Sequence, residues 1–142
     1  MREIPVILIS HGHYSKYALE SAEMIIGRQD NCEVISVTED KDLESVTKEL
    51  EGVYEKFKNE KGVIILTDIR GGTPSNAAAS LLVREPGILA LSGYNMPLLL
   101  ELFTNRDLEM DELKECMSEA FNESLVDLRE ETAGLCNDDI EL

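Results

Sequence analysis

The chain has two histidines, His11 and His13, and they flank Gly12 directly after a short apolar run. A neutral imidazole is a nucleophile near neutral pH, provided a second group fixes its tautomer and leaves one ring nitrogen free. Asp68 closes another apolar run and can be that group. Its carboxylate would also steady positive charge developing on the ring. Just downstream stand Gly71, Gly72, Thr73 and Pro74. The glycines allow backbone N–H groups to approach a ligand closely, and Thr73 adds a hydroxyl where a helix would start. Such a helix N-terminus attracts anions through its unpaired donors and its dipole. Nucleophile, orienting acid and anion cradle together suit phosphoryl transfer, where catalysis is largely positioning plus charge stabilisation.

Each of these residues has a plainer reading. A loop histidine is often merely solvated, an aspartate after a strand commonly closes a turn, and Thr-Pro commonly opens a helix. Their joint placement is what argues for a site, with His11 as nucleophile, Asp68 as its orienting acid and Gly71, Gly72 and Thr73 as the phosphoryl cradle. His13 lacks a facing acid and reads as a flanking residue. Arg70 reads equally as a phosphate contact or a surface charge, and Asn95 as a turn residue. His13, Arg70 and Asn95 are carried forward as candidate partner contacts.

The elements that must position these side chains follow from apolar patterning. Residues 4–10 form a continuous, β-branched-rich run that suits a strand buried on both faces. Tyr14, Ala18, Leu19, Ala22, Ile25 and Ile26 recur at helical spacing, with Ser15 able to cap that helix and Gly27 to end it. Residues 33–37 read as a second strand. Leu43, Val46, Leu50, Val53, Tyr54 and Phe57 mark a second helix, with Asp42 as its cap. Residues 62–68 read as a third strand and 69–73 as a glycine-containing turn. Thr73 as N-cap and Pro74 as first helical residue would open a helix to about Val83. Residues 88–92 read as a fourth strand, Pro97 opens a helix over 97–105, and Asp111 can cap a last helix from Glu112.

Strands that alternate with helices and are buried on both faces imply an α/β fold, an open parallel sheet with helices on both faces. Right-handed crossovers then favour the strand order 2-1-3-4. In such sheets the site lies at the switch point, outside the carboxyl ends of the strands. That is where strands 1 and 3 deliver His11 and Asp68.

The 142 residues fit one domain, since domains cluster near roughly 100–150 residues. A single domain is expected over 1–142, with an acidic tail from about 132 to 142. An apolar share of 43% supports a core. A net charge of −16 argues against nucleic-acid and anionic-membrane binding and favours a basic partner. The N-terminus lacks the long apolar stretch of a signal peptide. Cys32, Cys116 and Cys136 are scattered, without metal-ligand spacing, so reduced thiols in a cytoplasmic protein are expected. The sequence calls for no metal and no cofactor.

Residues 10–27, 62–82 and 91–106 together closely resemble the IIA component of the mannose/fructose/sorbose family of the bacterial sugar phosphotransferase system. The resemblance rests on three motifs: His11-Gly12 after strand 1, Asp68-x-x-Gly71-Gly72-Thr73-Pro74-x-Asn76 after strand 3, and Gly93-x-Asn95-x-Pro97 after strand 4. It covers roughly residues 4–106 and implies that His11 carries a phosphoryl group, that Asp68 hydrogen-bonds its ring and that Thr73 lies beside the phosphoryl site. It also implies a cytoplasmic bacterial phosphocarrier, peripheral to the membrane through its transporter. HPr would be the donor, a IIB component the acceptor, and IIC and IID the membrane subunits that IIB serves. It further implies a homodimer with an antiparallel C-terminal strand exchanged between subunits, which would fall at 124–129. Helical spacing of Phe121, Leu125 and Leu128 conflicts with that strand and would continue the last helix instead. Arg70 stands where many relatives carry an aromatic or aliphatic residue. Because the chain stops soon after the matching region, IIB is expected as a separate protein.

Three rivals share the fold class. A receiver domain would use Asp68 as its phosphorylated residue, but it needs an acidic pair after strand 1 to hold Mg²⁺. The chain has Ser10-His11-Gly12 there. A flavin-binding module would want a hydroxyl-rich phosphate loop and flanking aromatics, which amount to 5% here. A regulatory phosphohistidine domain that feeds no transporter shares the same site residues.

Overall fold

The computed structural model describes residues 3–133. Its centre is a four-stranded parallel sheet, β1 (Val6–His11), β2 (Cys32–Val37), β3 (Val63–Thr67) and β4 (Ile88–Ser92), in the order β2-β1-β3-β4. The connecting helices are α1 (Tyr14–Ile26), α2 (Leu43–Phe57) and α3 (Gly72–Leu82). After β4 come α4 (Met96–Thr104), α5 (Met110–Asn122) and the single-turn α6 (Leu128–Thr132). The α/β class, parallel pairing and strand order expected from patterning are those observed. No helix among the described residues is long and apolar enough to cross a membrane.

The continuous apolar runs of β1 and β3 reflect burial on both faces. Val6, Leu8, Ile64 and Leu66 point to one side, where they pack with Ala22 of α1, Leu99 and Leu102 of α4, and Leu113 and Met117 of α5. Ile7, Ile9, Val63 and Ile65 point to the other, against Val46 and Leu50 of α2 and Ala77, Ala78 and Leu81 of α3. Neither strand can slip by one residue without exchanging these two sets. At the opposite end of the sheet from His11, the buried Arg106 donates to the carbonyls of Ile4, Asp30 and Asn31. This fixes the entries to β1 and β2.

Several element starts differ from the sequence reading. Ser15 does not cap α1; it lies inside the helix, fully buried, and its N–H donates to Ser10 Oγ at 2.8 Å. Asp42 does cap α2, in a reciprocal arrangement with Ser45. α3 starts at Gly72 with Gly71 as N-cap, so Thr73 lies within the first turn and is not the cap. Two successive glycines at positive φ let the chain turn straight into the helix. Asn95 caps α4, accepting from the Leu98 N–H at 3.1 Å. α5 is preceded by Glu109, and Asp111 lies within its first turn.

In the single chain the C-terminal segment adopts neither of the two conformations expected from the sequence. Residues 124–127 have no regular structure, and Leu128 and Arg129 belong to α6, so the described chain forms no strand at 124–129. The continued helix is also interrupted. α5 stops at Asn122, Ser124 Oγ donates to the Phe121 carbonyl, and Asp127 caps α6 by accepting from the N–H groups of Arg129 and Glu130. An aspartate capping a helix competes with strand formation because its side chain satisfies the same backbone donors. Most of the acidic tail lies outside the described residues.

Candidate active site

His11 is the last residue of β1, where the strand leaves the core, and its side chain is 49% exposed. The register aligns Ile9 with Thr67. The next residue of β3's exit, Asp68, therefore emerges beside the end of β1. A single oxygen, Asp68 Oδ2, accepts twice from His11: from the backbone N–H at 3.0 Å and from ring Nδ1 at 2.9 Å. An ionised carboxylate only accepts, so the neutral ring carries its proton on Nδ1 and its lone pair on Nε2. The side chain of Asp68 is 12% exposed, and its other oxygen, Oδ1, is buried with no hydrogen-bond partner among the described residues.

The free ring nitrogen faces the start of α3. Gly72 sits so close that a Cβ built on it would lie 3.0 Å from both Nε2 and Cε1 of His11. The α3 N-terminus has no side-chain cap and no acidic residue in its first turn. Its orphan N–H donors and positive dipole end are therefore available to an anion held near Nε2. The half-buried Thr73 lies in that first turn, and its hydroxyl makes no hydrogen bond to the described residues. This loop is held from below: Thr67 Oγ1 and Ser75 Oγ pair at 2.9 Å, and Ser75 Oγ donates to the Ile69 carbonyl at 2.6 Å.

The structure thus brings together His11, Asp68, Gly71, Gly72 and Thr73. It does not bring in the three candidate partner contacts as closely. His13 is exposed on the β2 side, where Nδ1 pairs with Ser36 Oγ at 3.0 Å. Arg70 is exposed and forms no ion pair with the described residues. Asn95 is spent on structure, capping α4 and donating from Nδ2 to Ser124 Oγ at 2.8 Å.

Replacing Gly72 with alanine sets a Cβ against the imidazole at a φ of +81°. The expected cost is about 1–3 kcal/mol of unfolding free energy, read from urea denaturation, because the backbone is held in a region that L-residues avoid. The His11 ring resonances should shift as well; an unchanged ring spectrum would mean that the two groups are not in contact.

A family model described as PTS system fructose IIA component matches residues 5–121. The chain belongs to this IIA family. Over 100 residues this IIA chain is 34% identical to the sorbose-specific EIIA component of Lacticaseibacillus casei, a match covering 70% of this chain and 72% of that protein. Over 104 residues it is 31% identical to the mannose-specific EIIAB component of Escherichia coli (strain K12). That match covers 73% of this chain, yet this chain spans only 32% of the EIIAB length. Among solved structures, the phosphotransferase system component EIIA from Streptococcus agalactiae has a TM-score of 0.82 at 29% identity, covering 89% of this chain and 98% of that one.

Sequence reasoning about the IIA chain missed the polar residues that hold its loops. Ser10, next to last in β1, and Thr67, the last residue of β3, are both buried. Tyr94, 4% exposed, pairs its hydroxyl with Ser15 Oγ at 2.6 Å. Burial pushes the Tyr94 phenol well above its ordinary range, with the hydrogen bond to Ser15 working the other way, so it stays neutral. The one available signal was Ser10, a polar residue closing an otherwise apolar run. Ser15 and Tyr94 meet only across 79 residues of chain.

Proposed function

We propose that this IIA chain is a phosphocarrier that accepts a phosphoryl group on His11 Nε2 from phospho-HPr and passes it to a IIB component. IIB in turn serves sugar uptake and phosphorylation through IIC and IID membrane subunits. The observation that carries this reading is the division of labour on one ring: Nδ1 is held by Asp68, while Nε2 is free and faces the open N-terminus of α3 across Gly72.

In the forward step, the Nε2 lone pair forms the new N–P bond as the bond from phosphorus to the donor nitrogen breaks. The electron pair of the broken bond stays with the donor's imidazole. The His11 ring, keeping its Nδ1 proton, becomes cationic, and the Asp68 carboxylate lies 2.9 Å from that proton. The α3 N–H groups and the Thr73 hydroxyl face the phosphoryl oxygens. These groups act by positioning and charge complementarity, as phosphoryl transfer allows. A receiver-like role for Asp68 is weakly supported, because Oδ2 is bonded twice to His11 and Oδ1 is buried.

Incubating the protein with HPr, the kinase of HPr and phosphoenolpyruvate tests the reading. The expected product is an acid-labile, base-stable adduct that mass spectrometry places on His11. An acid-stable adduct, or one on Asp68, would overturn it.

A net charge of −16 should steer a basic face of HPr toward the site. At physiological ionic strength the Debye length is roughly 8 Å. Association measured by stopped flow should therefore slow as salt is raised, whereas salt-independent rates would exclude electrostatic steering.

The cytoplasmic, homodimeric state belongs to the same reading, with one domain over 1–142. Among the described residues β4 ends the sheet with an unpaired edge, and such edges invite pairing. The described chain also leaves apolar groups in water, Val83 at 85% exposure, Leu125 at 96% and Leu128 at 72%. The proposed contact is this edge together with the C-terminal segment, residues near 124–129 pairing with the partner's sheet in the dimer. Full-length protein should sediment as a dimer at micromolar concentration. Truncation after Asn122 should give a monomer or an insoluble product, and a soluble dimer of the truncated form would exclude the C-terminal segment from the contact.

A further inference from the structure

The segment that carries His11 is tied at both ends by buried hydroxyls. Ser10 and Ser15 are both fully buried. Ser10 Oγ accepts the Ser15 N–H at 2.8 Å and itself donates to the Gly12 carbonyl at 3.3 Å, closing residues 10–15 into a clip. Ser15 Oγ then pairs with Tyr94 OH at 2.6 Å. Tyr94 lies in the loop after β4, and its neighbour Gly93 donates its N–H to the Thr67 carbonyl at 2.9 Å. Thr67 is bonded along the chain to Asp68, which returns to His11 through both of its bonds.

These contacts form a closed circuit: His11, Asp68, Thr67, Gly93, Tyr94, Ser15, Ser10 and back to His11. Every link but one is a strand end, a peptide bond or a bond within the first loop. The exception is the Ser15–Tyr94 bond, which alone joins the His11 segment to the β4–α4 loop in this circuit. Tyr94 is further steadied by the Tyr14 ring, 5.6 Å away between centroids and tilted by 44°.

We infer that the Ser15–Tyr94 hydrogen bond is a positioning element for the His11–Asp68 pair, holding the imidazole in its Nδ1–H tautomer from one loop away. Neither residue touches the phosphoryl position; both act through the backbone of residues 10–15. The physical basis is geometric. A tautomer is selected only while the carboxylate stays within hydrogen-bond reach of Nδ1, and small displacements of a reacting group cost rate steeply. Both hydroxyls are withdrawn from water, so each needs the other as partner, and the bond is made in one geometry. The consequence for rate rests on the phosphocarrier reading; the consequence for the tautomer does not.

The test compares wild type with Tyr94→Phe, Ser15→Ala and the double variant. Nitrogen-15 NMR of the neutral imidazole reports the His11 tautomer, and amide hydrogen exchange reports the His11 N–H bond to Asp68. Wild type should show the Nδ1–H tautomer alone. Each variant should show a mixture, His11 amide exchange faster by about tenfold, and phosphoryl uptake from phospho-HPr slower by about fivefold to tenfold, the range a single buried hydrogen bond spans. The double variant should match the single ones, because they remove the same bond.

Variants that melt at lower temperature but keep the wild-type tautomer and His11 exchange would overturn the inference, since the bond would then be merely structural. If Tyr94→Phe does not fold, Ser15→Ala decides the same question. If wild type takes up no phosphoryl group, the phosphocarrier reading fails while the tautomer and exchange comparison still decides the role of the bond.

Discussion

His11→Ala should take up no phosphoryl group from phospho-HPr, a loss limited only by the detection of the assay. The substitution removes the nucleophile itself, and no neighbour can stand in. The lone pair of Nε2 faces the α3 N-terminus across Gly72, whereas the other histidine, His13, is directed toward Ser36 on the β2 side. The fold should survive. The His11 side chain is half-exposed at a strand end, and its removal empties no core volume, so a shift in unfolding free energy within about 0.5 kcal/mol is expected. Radiolabel uptake beside a denaturation curve checks both statements. Undiminished stoichiometry in this variant would move the phosphoryl group to another residue.

Asp68→Ala separates rate from stability. Phosphoryl transfer should slow by about 10²–10⁴-fold, the range typical of a positioned acid–base or orienting group. The ring loses the acceptor that keeps the proton on Nδ1 and the charge that offsets the developing imidazolium. Stability should hold or rise. Asp68 is nearly buried and leaves Oδ1 without a partner, a desolvation penalty that alanine does not carry. The His11 N–H it releases lies at an exposed position where water can accept it. Single-turnover transfer from phospho-HPr and urea denaturation give the two numbers. Wild-type transfer rates would reduce Asp68 to a turn residue. A stability loss of several kcal/mol would mean that its two bonds to His11 outweigh the orphaned oxygen.

Much of the site was legible because it lies at strand ends. His11 and Asp68 each close an apolar run, and the order 2-1-3-4 makes β1 and β3 neighbours. Pattern reasoning therefore places the two side chains together across 57 residues of sequence. Gly71 and Gly72 were legible as a turn near the site. Their reach was not: the 3.0 Å approach of Gly72 to the imidazole depends on how α3 packs under the sheet. The caps were half-legible. Asp42 acts where its pattern places it, but Ser15 and Thr73 are not caps, because a buried hydroxyl partner and a glycine pair took over those positions.

The sequence by itself determined the two-faced burial of β1 and β3, the parallel sheet that follows, and the loops from which His11, Asp68 and the glycine pair emerge. These are local matters of period and residue type, set by which side chains must leave water. Only the tertiary structure decided the rest. The pair of hydrogen bonds that Asp68 Oδ2 accepts from one histidine, the reach of Tyr94 to Ser15, the capping role of Asn95 and the breaking of the C-terminal segment at 123–127 all depend on contacts between residues far apart in sequence, or on which of several local partners is sterically free. Hydrogen bonds act within about 3 Å and are directional, so their pairing is settled only after burial has fixed where the backbone runs.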